Sequence, residues 1–281
     1  MISKSSNKRI LKKHFAFNVW NINSAKAVID AAVECNQTIF LQISSKVFDE
    51  IEIEEFTSVI KNYISRKNAS VIIHLDHSKD IKQIERAINL NWDSVMFDGS
   101  NLPLEKNIEI TNEVTKLAHN KNVMVEAELG IIKGEEDGIS YENDVFVKID
   151  DIQKFVSSTN IDLLAVAIGT SHGQYNGKEP SINYDLLGNI TRLVSVPFVV
   201  HGGSELSNET LIKLLKYRNV SKINISTDIK QAYRMGLINA SNQNLLNEKG
   251  FDPKKVERLI HDSIKNKAIS KLKNLEVILD E

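Results

Sequence analysis

Three histidines, His77, His172 and His201, each stand at the end of a short apolar run, and four acids, Asp76, Asp98, Glu126 and Glu128, stand at or near the ends of similar runs. Three imidazoles with one position left open are a known arrangement for catalytic zinc. Partly buried carboxylates repel one another, so they must be protonated, paired or coordinated. No matching array of Lys or Arg occurs at these run ends, and a divalent cation accounts for both sets at once. A single histidine in such a place is more often a hydrogen-bonded structural residue, but three at separate ends beside carboxylates shift the weighing toward a metal. The other histidines fit less well. His14 opens a run, His119 sits where a helix ends and His261 lies in a polar helix. His74 shares a face with Asp76 but lies deeper, in a supporting position.

Glycine marks special backbone geometry, and ten of the twelve glycines fall between Gly99 and Gly203, with none earlier. Gly169-Thr-Ser-His-Gly173, His201-Gly-Gly-Ser204 and Asn224-Ile-Ser-Thr227 follow consecutive apolar runs. Backbone amides in such turns and at a helix start can hold a phosphate; each turn alone reads equally well as a tight strand-to-helix connection. From Leu129 to Lys148 the sequence reads as a loop containing Gly134-Glu-Glu-Asp-Gly138. A loop of that length is a lid or a solvated acidic stretch.

These residues need elements to position them. Eight apolar runs read as strands: 14–19, 38–43, 71–75, 94–97, 123–127, 163–168, 197–200 and 222–225. Each is followed by a segment with helical spacing of apolar residues. That alternation predicts a parallel (β/α)8 barrel, a TIM barrel spanning residues 1–281 as a single domain, with an additional C-terminal helical segment after Gly250. The competing architecture, a doubly wound open sheet, usually has fewer units. In barrels of this kind chemistry sits at the carboxyl ends of the strands, where the parity of Glu126 with Glu128 and of His74 with Asp76 predicts four carboxylates converging on the mouth. Pro103 suits the first turn of its helix.

Composition narrows the function classes. Lys plus Arg number 35 against 37 Asp plus Glu, a net charge of −2, which gives no footprint for nucleic acid or an anionic membrane. One cysteine, a polar start and no apolar run near the ~20 residues of a membrane span predict a cytoplasmic protein.

Taken in order, Asp76-His77, Asp98-Gly-Ser, Glu126-Ala-Glu-Leu-Gly130, Gly134-Glu-Glu-Asp-Gly138, Gly169-Thr-Ser-His-Gly173, His201-Gly-Gly-Ser204 and Lys222-Ile-Asn-Ile-Ser-Thr227 resemble the class II, zinc-dependent ketose-bisphosphate aldolases, from about Phe17 to Lys255. The resemblance implies one catalytic Zn2+ held by His77, His172 and His201, with Glu128 and Asp98 supporting the metal or an alternate placement of it. It implies Asp76 as the acid/base at the C4 hydroxyl and Glu136 as the lid carboxylate that exchanges the C3 proton. Gly173, Gly202, Gly203, Ser204, Asn224, Ser226 and Thr227 match the phosphate-binding set, with Lys230 counted among the substrate- or phosphate-binding residues, while Asn18 and Ser44 match substrate contacts. The implied reaction splits a ketose 1,6-bisphosphate into dihydroxyacetone phosphate and glyceraldehyde 3-phosphate through a zinc-bound enediolate, in a homodimer or homotetramer, with the need for a monovalent cation left open.

The chain departs from the family's pattern in places. Glu205 stands where Gly is usual: it either repels a phosphate or points to solvent from the first turn of the next helix. Trp20 stands where Asn is common. Ser226 and Lys230 resemble the tagatose type more than the fructose type. Alternatives are a family member acting on another phosphorylated sugar, as in inositol or amino-sugar catabolism, and a noncatalytic barrel subunit supporting a partner aldolase. Intact His77, His172, His201 and Asp76 speak against the second.

Overall fold

A computed structural model describes residues 12–132, 134–136, 139–141, 147–175 and 177–279. Eight parallel strands close into a barrel. In chain order they are β1 (His14–Asn18), β2 (Ile39–Ser44), β3 (Val71–Ser78), β4 (Ser94–Phe97), β5 (Met124–Leu129), β8 (Leu163–Val166), β9 (Phe198–Val200) and β10 (Val220–Ile225), and β10 pairs back onto β1. Two short antiparallel strands, β6 (Gly134–Glu136) and β7 (Ile139–Tyr141), form a hairpin outside the barrel. The stretch after β5, read from sequence as a loop, thus carries structure of its own.

The helices are α1 (Ile22–Glu34), α2 (Ser45–Glu50), α3 (Ile53–Lys67), α4 (Ile81–Asn89), α5 (Leu104–His119), α6 (Ile149–Ser158), α7 (Tyr184–Leu193), α8 (Asn208–Leu215), α9 (Thr227–Asn242) and α10 (Pro253–Leu279). Their starts follow from local chemistry. Asn21 accepts from the Ser24 amide while Ser24 Oγ accepts from the Asn21 amide, a capping box for α1. Asp80 and Ser207 cap α4 and α8. Pro103 occupies the cap position of α5, one residue before the first turn.

Strand parity sorts the buried side chains into two cores. The larger one lies between barrel and helices; a small inner one is formed by Ala16, Phe40, Ile72, Leu163, Ala165 and Val199 with Met124 against it. Along the inward face of each strand, residues two apart share that side, so the interior turns polar toward the mouth: Met124 is followed by Glu126 and Glu128, Ile72 by His74 and Asp76, and Phe40 by Gln42 and Ser44. The apolar floor supplies stability and the upper layers are free to carry charge.

The C-terminal helix α10 packs along α9 and α1 and reaches α8. Its buried residues Val256, Ile260, Ile264, Ala268 and Leu272 recur every four positions, the spacing of one helix face. Gly236 of α9 allows the close approach: a Cβ there would lie 2.5 Å from Ile260 Cα. Lys271 Nζ pairs with Asp228 Oδ2 at 2.7 Å, tying α10 to the first turn of α9. Among the described residues no helix is long and apolar enough to cross a membrane.

Candidate active site

Asp76 and His77 are neighbours in β3, and neighbouring residues of a regular strand face opposite ways. The strand runs on through both to Ser78, beyond the Leu75 end read from sequence, and its pairing with β4 slips between Leu75 and Ser78. At the slip His77 adopts φ +51, a left-handed conformation that costs a side-chain-bearing residue about 1–2 kcal/mol. Bulges of this kind re-aim side chains beside functional sites. Here it brings the imidazole to the mouth alongside Asp76: His77 packs edge-on against His172 and His201, with ring centroids 5.1 and 4.7 Å away.

The imidazoles of His77, His172 and His201 offer nitrogens that all lie within 4.8 Å of one another, and His77, Asp98 and Glu128 form a second such group. His201 arises from the end of β9 and His172 from the turn after β8. The site is anchored from below. Glu126 Oε1 accepts from His201 Nε2 at 3.0 Å, which leaves Nδ1 of that ring with the lone pair. His201 Nδ1, Glu128 Oε2 and Asp76 Oδ1 are buried and make no hydrogen bond among the described residues. Buried nitrogen and carboxylate donors left without a hydrogen bond, with only longer ion-pair contacts among themselves and to His74 and His77, fit a bound divalent cation.

The four carboxylates predicted from strand parity do not all converge on the mouth: Glu126 sits one layer below, fully buried, and it has a cation. Lys222 Nζ lies 2.6 Å from Glu126 Oε2 and 3.3 Å from His74 Nε2. Because the ammonium donates to Nε2, the His74 proton resides on Nδ1 and donates to Ser94 Oγ at 2.8 Å. The signal for Lys222 was present: it shares strand parity with Asn224, the residue read as belonging to the mouth.

These surroundings set the ionisation. Burial pushes Glu126 up, but Lys222 and the His201 hydrogen bond outweigh it and hold the carboxyl well below the usual range. Burial and then the Asp98 charge push Glu128 well above it. Asp98 is raised by burial yet held low by His77, Ser100 and Lys79. His77 is lowered by burial and raised further by Asp76, Asp98 and Glu128, so it ends well above an ordinary imidazole. His74 falls well below, from burial and the adjacent Lys222.

Beside the histidines a cleft is lined by His172, Gly173, Gly202, Ser204, Asn224, Ser226 and Thr227. Three loops meet there at the N-terminus of α9, where the helix dipole favours an anion. Thr227 Oγ1 donates to Gly173 O at 3.2 Å, and Ser204 Oγ accepts from the Ser226 and Asp228 amides. Gly203 serves differently: its amide is committed to Asn224 O, and a Cβ would lie 2.3 Å from Ile223 Cγ2, so it is there for close packing. Lys230 is exposed near the start of α9. Asn18 Nδ2 donates to Asp76 Oδ2 at 2.8 Å, with Gln42 behind it donating to Asn18 Oδ1 at 3.1 Å. Ser44 caps α2, a short helix the sequence reading did not include. Glu136 lies on β6, but its side chain falls outside the described residues.

Residues 12–278 match the family model of class-II fructose-bisphosphate aldolase. The chain belongs to this family. The aldolase is similar to solved structures throughout its length. It shares 28% identity with the YdjI aldolase from Escherichia coli K12, over 98% of this chain and 94% of that one, with a TM-score of 0.80. A fructose-bisphosphate aldolase from Campylobacter jejuni aligns at 21% identity over 97% and 92%, TM-score 0.80, and a Coccidioides immitis protein at 22% over 97% and 94%, TM-score 0.84. At those two identities the likeness speaks for the barrel alone.

Proposed function

We propose that this aldolase is metal-dependent and reversibly cleaves a ketose 1,6-bisphosphate, of the tagatose or fructose type, between C3 and C4, giving dihydroxyacetone phosphate and glyceraldehyde 3-phosphate. The observation that carries the reading is the cluster of His77, His172 and His201 nitrogens directly beside a cleft walled by glycine, serine and threonine at a helix N-terminus. In this reading the three histidines hold Zn2+, with Glu128 and Asp98 beside it. When bound, the ion supplies Lewis-acid stabilisation of the negative charge that builds on substrate oxygens during cleavage.

The chain's own groups do the rest. The cleft binds the phosphate of the dihydroxyacetone half and so fixes the sugar's position relative to Asp76. Asp76 removes the proton of the C4 hydroxyl in cleavage and returns it in condensation; Asn18 holds one of its oxygens and leaves Oδ1 without a hydrogen bond. Glu136, carried on the hairpin, exchanges the C3 proton.

The test is a coupled assay for dihydroxyacetone phosphate release across a panel of ketose phosphates, run with and without chelator, together with metal analysis of a His172→Ala variant. Release that depends on metal, and metal lost from the variant, are expected. Undiminished release after chelation, or unchanged metal content in His172→Ala, overturns the proposal.

A further inference from the structure

Glu205 does not lie in the first turn of α8, which begins three residues later behind the Ser207 cap. It forms part of the turn after β9 with φ +59, a left-handed conformation normally left to glycine. Two hydrogen bonds accompany that conformation: Glu205 Oε2 accepts from the Tyr175 amide at 2.8 Å, and the Glu205 amide donates to Asp228 Oδ2 at 3.2 Å. Tyr175 then reaches across. Its hydroxyl donates to Gly202 O at 2.7 Å and accepts from the Ser171 amide at 2.8 Å. The two loops it joins pack so closely that a Cβ on Gly202 would lie 2.3 Å from Ser171 O. Between Ser171 and Tyr175 lie His172 and Gly173, both in the cleft wall.

We propose that Glu205 and Tyr175 are positioning residues, a clasp that fixes the Ser171–Tyr175 loop against the Gly202–Ser204 loop and so presets the cradle for the substrate's phosphate. The proposal rests on the phosphate reading of the cleft given above. A carboxylate near a phosphate would be expected to repel it, but this one is engaged by a backbone amide, and what it contributes is preorganisation. Glutamate at a glycine conformation is the cost of gaining an acceptor that glycine lacks.

Three variants test it: Glu205→Gly, which relaxes the backbone and removes the acceptor; Glu205→Gln, which keeps an acceptor oxygen without the charge; and Tyr175→Phe. Each is measured by hydrogen exchange of the 170–175 amides, by calorimetric titration with inorganic phosphate, and by KM and kcat for the ketose bisphosphate. Glu205→Gly and Tyr175→Phe are expected to speed exchange, and to weaken phosphate binding and raise KM by about 3- to 10-fold, the worth of one or two hydrogen bonds, with kcat changing less. Glu205→Gln is expected to restore most of both effects. Tighter phosphate binding in Glu205→Gly and Glu205→Gln alike would mean that the charge repels, and would overturn the proposal. So would wild-type exchange and affinity in Glu205→Gly. Faster exchange in a protein whose wild type binds no phosphate would locate the failure in the cradle reading and bring the proposal down with it.

Discussion

Replacing Glu126 by glutamine perturbs the layer beneath the histidines with almost no change of shape. The carboxylate is fully buried, 2.6 Å from Lys222 Nζ and 3.0 Å from His201 Nε2. Removing one partner of a buried ion pair leaves the other charge unpaired, which costs about 3–5 kcal/mol; for a chain of this size the melting temperature falls by on the order of 10 °C. In the proposed metal reading, loss of the carboxylate behind His201 also weakens metal binding by about 10- to 100-fold. The two effects separate in the double variant Glu126→Gln/Lys222→Met, where no charge is stranded: most of the stability should return while the metal affinity stays low. Calorimetric unfolding of the metal-free protein and competitive Zn2+ titration read the two quantities independently. If the single variant melts and binds zinc as the wild type does, Glu126 neither balances Lys222 nor orients His201. If the double variant recovers zinc affinity together with stability, the orienting role is wrong.

Other outcomes follow from neighbouring groups. Asp76→Asn should retain bound zinc and lose about 10²- to 10⁴-fold in cleavage; loss of metal in step with activity would make Asp76 a ligand instead. His74 is held well below the ordinary imidazole value by burial and Lys222, so the unfolded chain binds a proton below about pH 6.5 that the folded chain refuses. Its stabilising contribution is therefore complete above that pH and is lost on acidification, by at most about 1.4 kcal/mol per pH unit. Denaturation midpoints from pH 7 to 5 should fall less steeply in His74→Asn, and an unaltered slope would contradict the assignment. Gly236→Ala would drive a methyl to 2.5 Å from Ile260 Cα and should destabilise the docking of α10 by about 1–3 kcal/mol, seen as earlier proteolysis of the C-terminal helix.

The eight strand-helix units were legible because their signal is periodic: apolar runs, then helical spacing. The three histidines were legible because run ends can be counted. What escaped the sequence is local and aperiodic. The bulge that brings Asp76 and His77 to one side has no glycine to announce it; His77 itself takes the left-handed conformation. Lys222 at the head of Lys-Ile-Asn-Ile shares the inward parity of Asn224, but what it does there depends on partners far along the chain, His74 and Glu126. The short helix at Ser45–Glu50 and the three-residue strands of the hairpin are too brief for periodicity to register. Glu205 was singled out as a departure, but its hydrogen bond to the Tyr175 amide depends on a loop thirty residues away in sequence.

The order in which the chain leaves a ribosome bears on how Lys271 holds Asp228. Strand β1 emerges first and cannot complete its pairing until β10 follows, and α10, still later, covers the seam between α9 and α1. Through Asp228 this last helix also steadies the Glu205 amide. A chain that holds every residue of the cleft but not α10 therefore lacks the brace that holds the cleft's rim. Contacts between elements so far apart along the chain, as in the pairing of β1 with β10, also make folding slow.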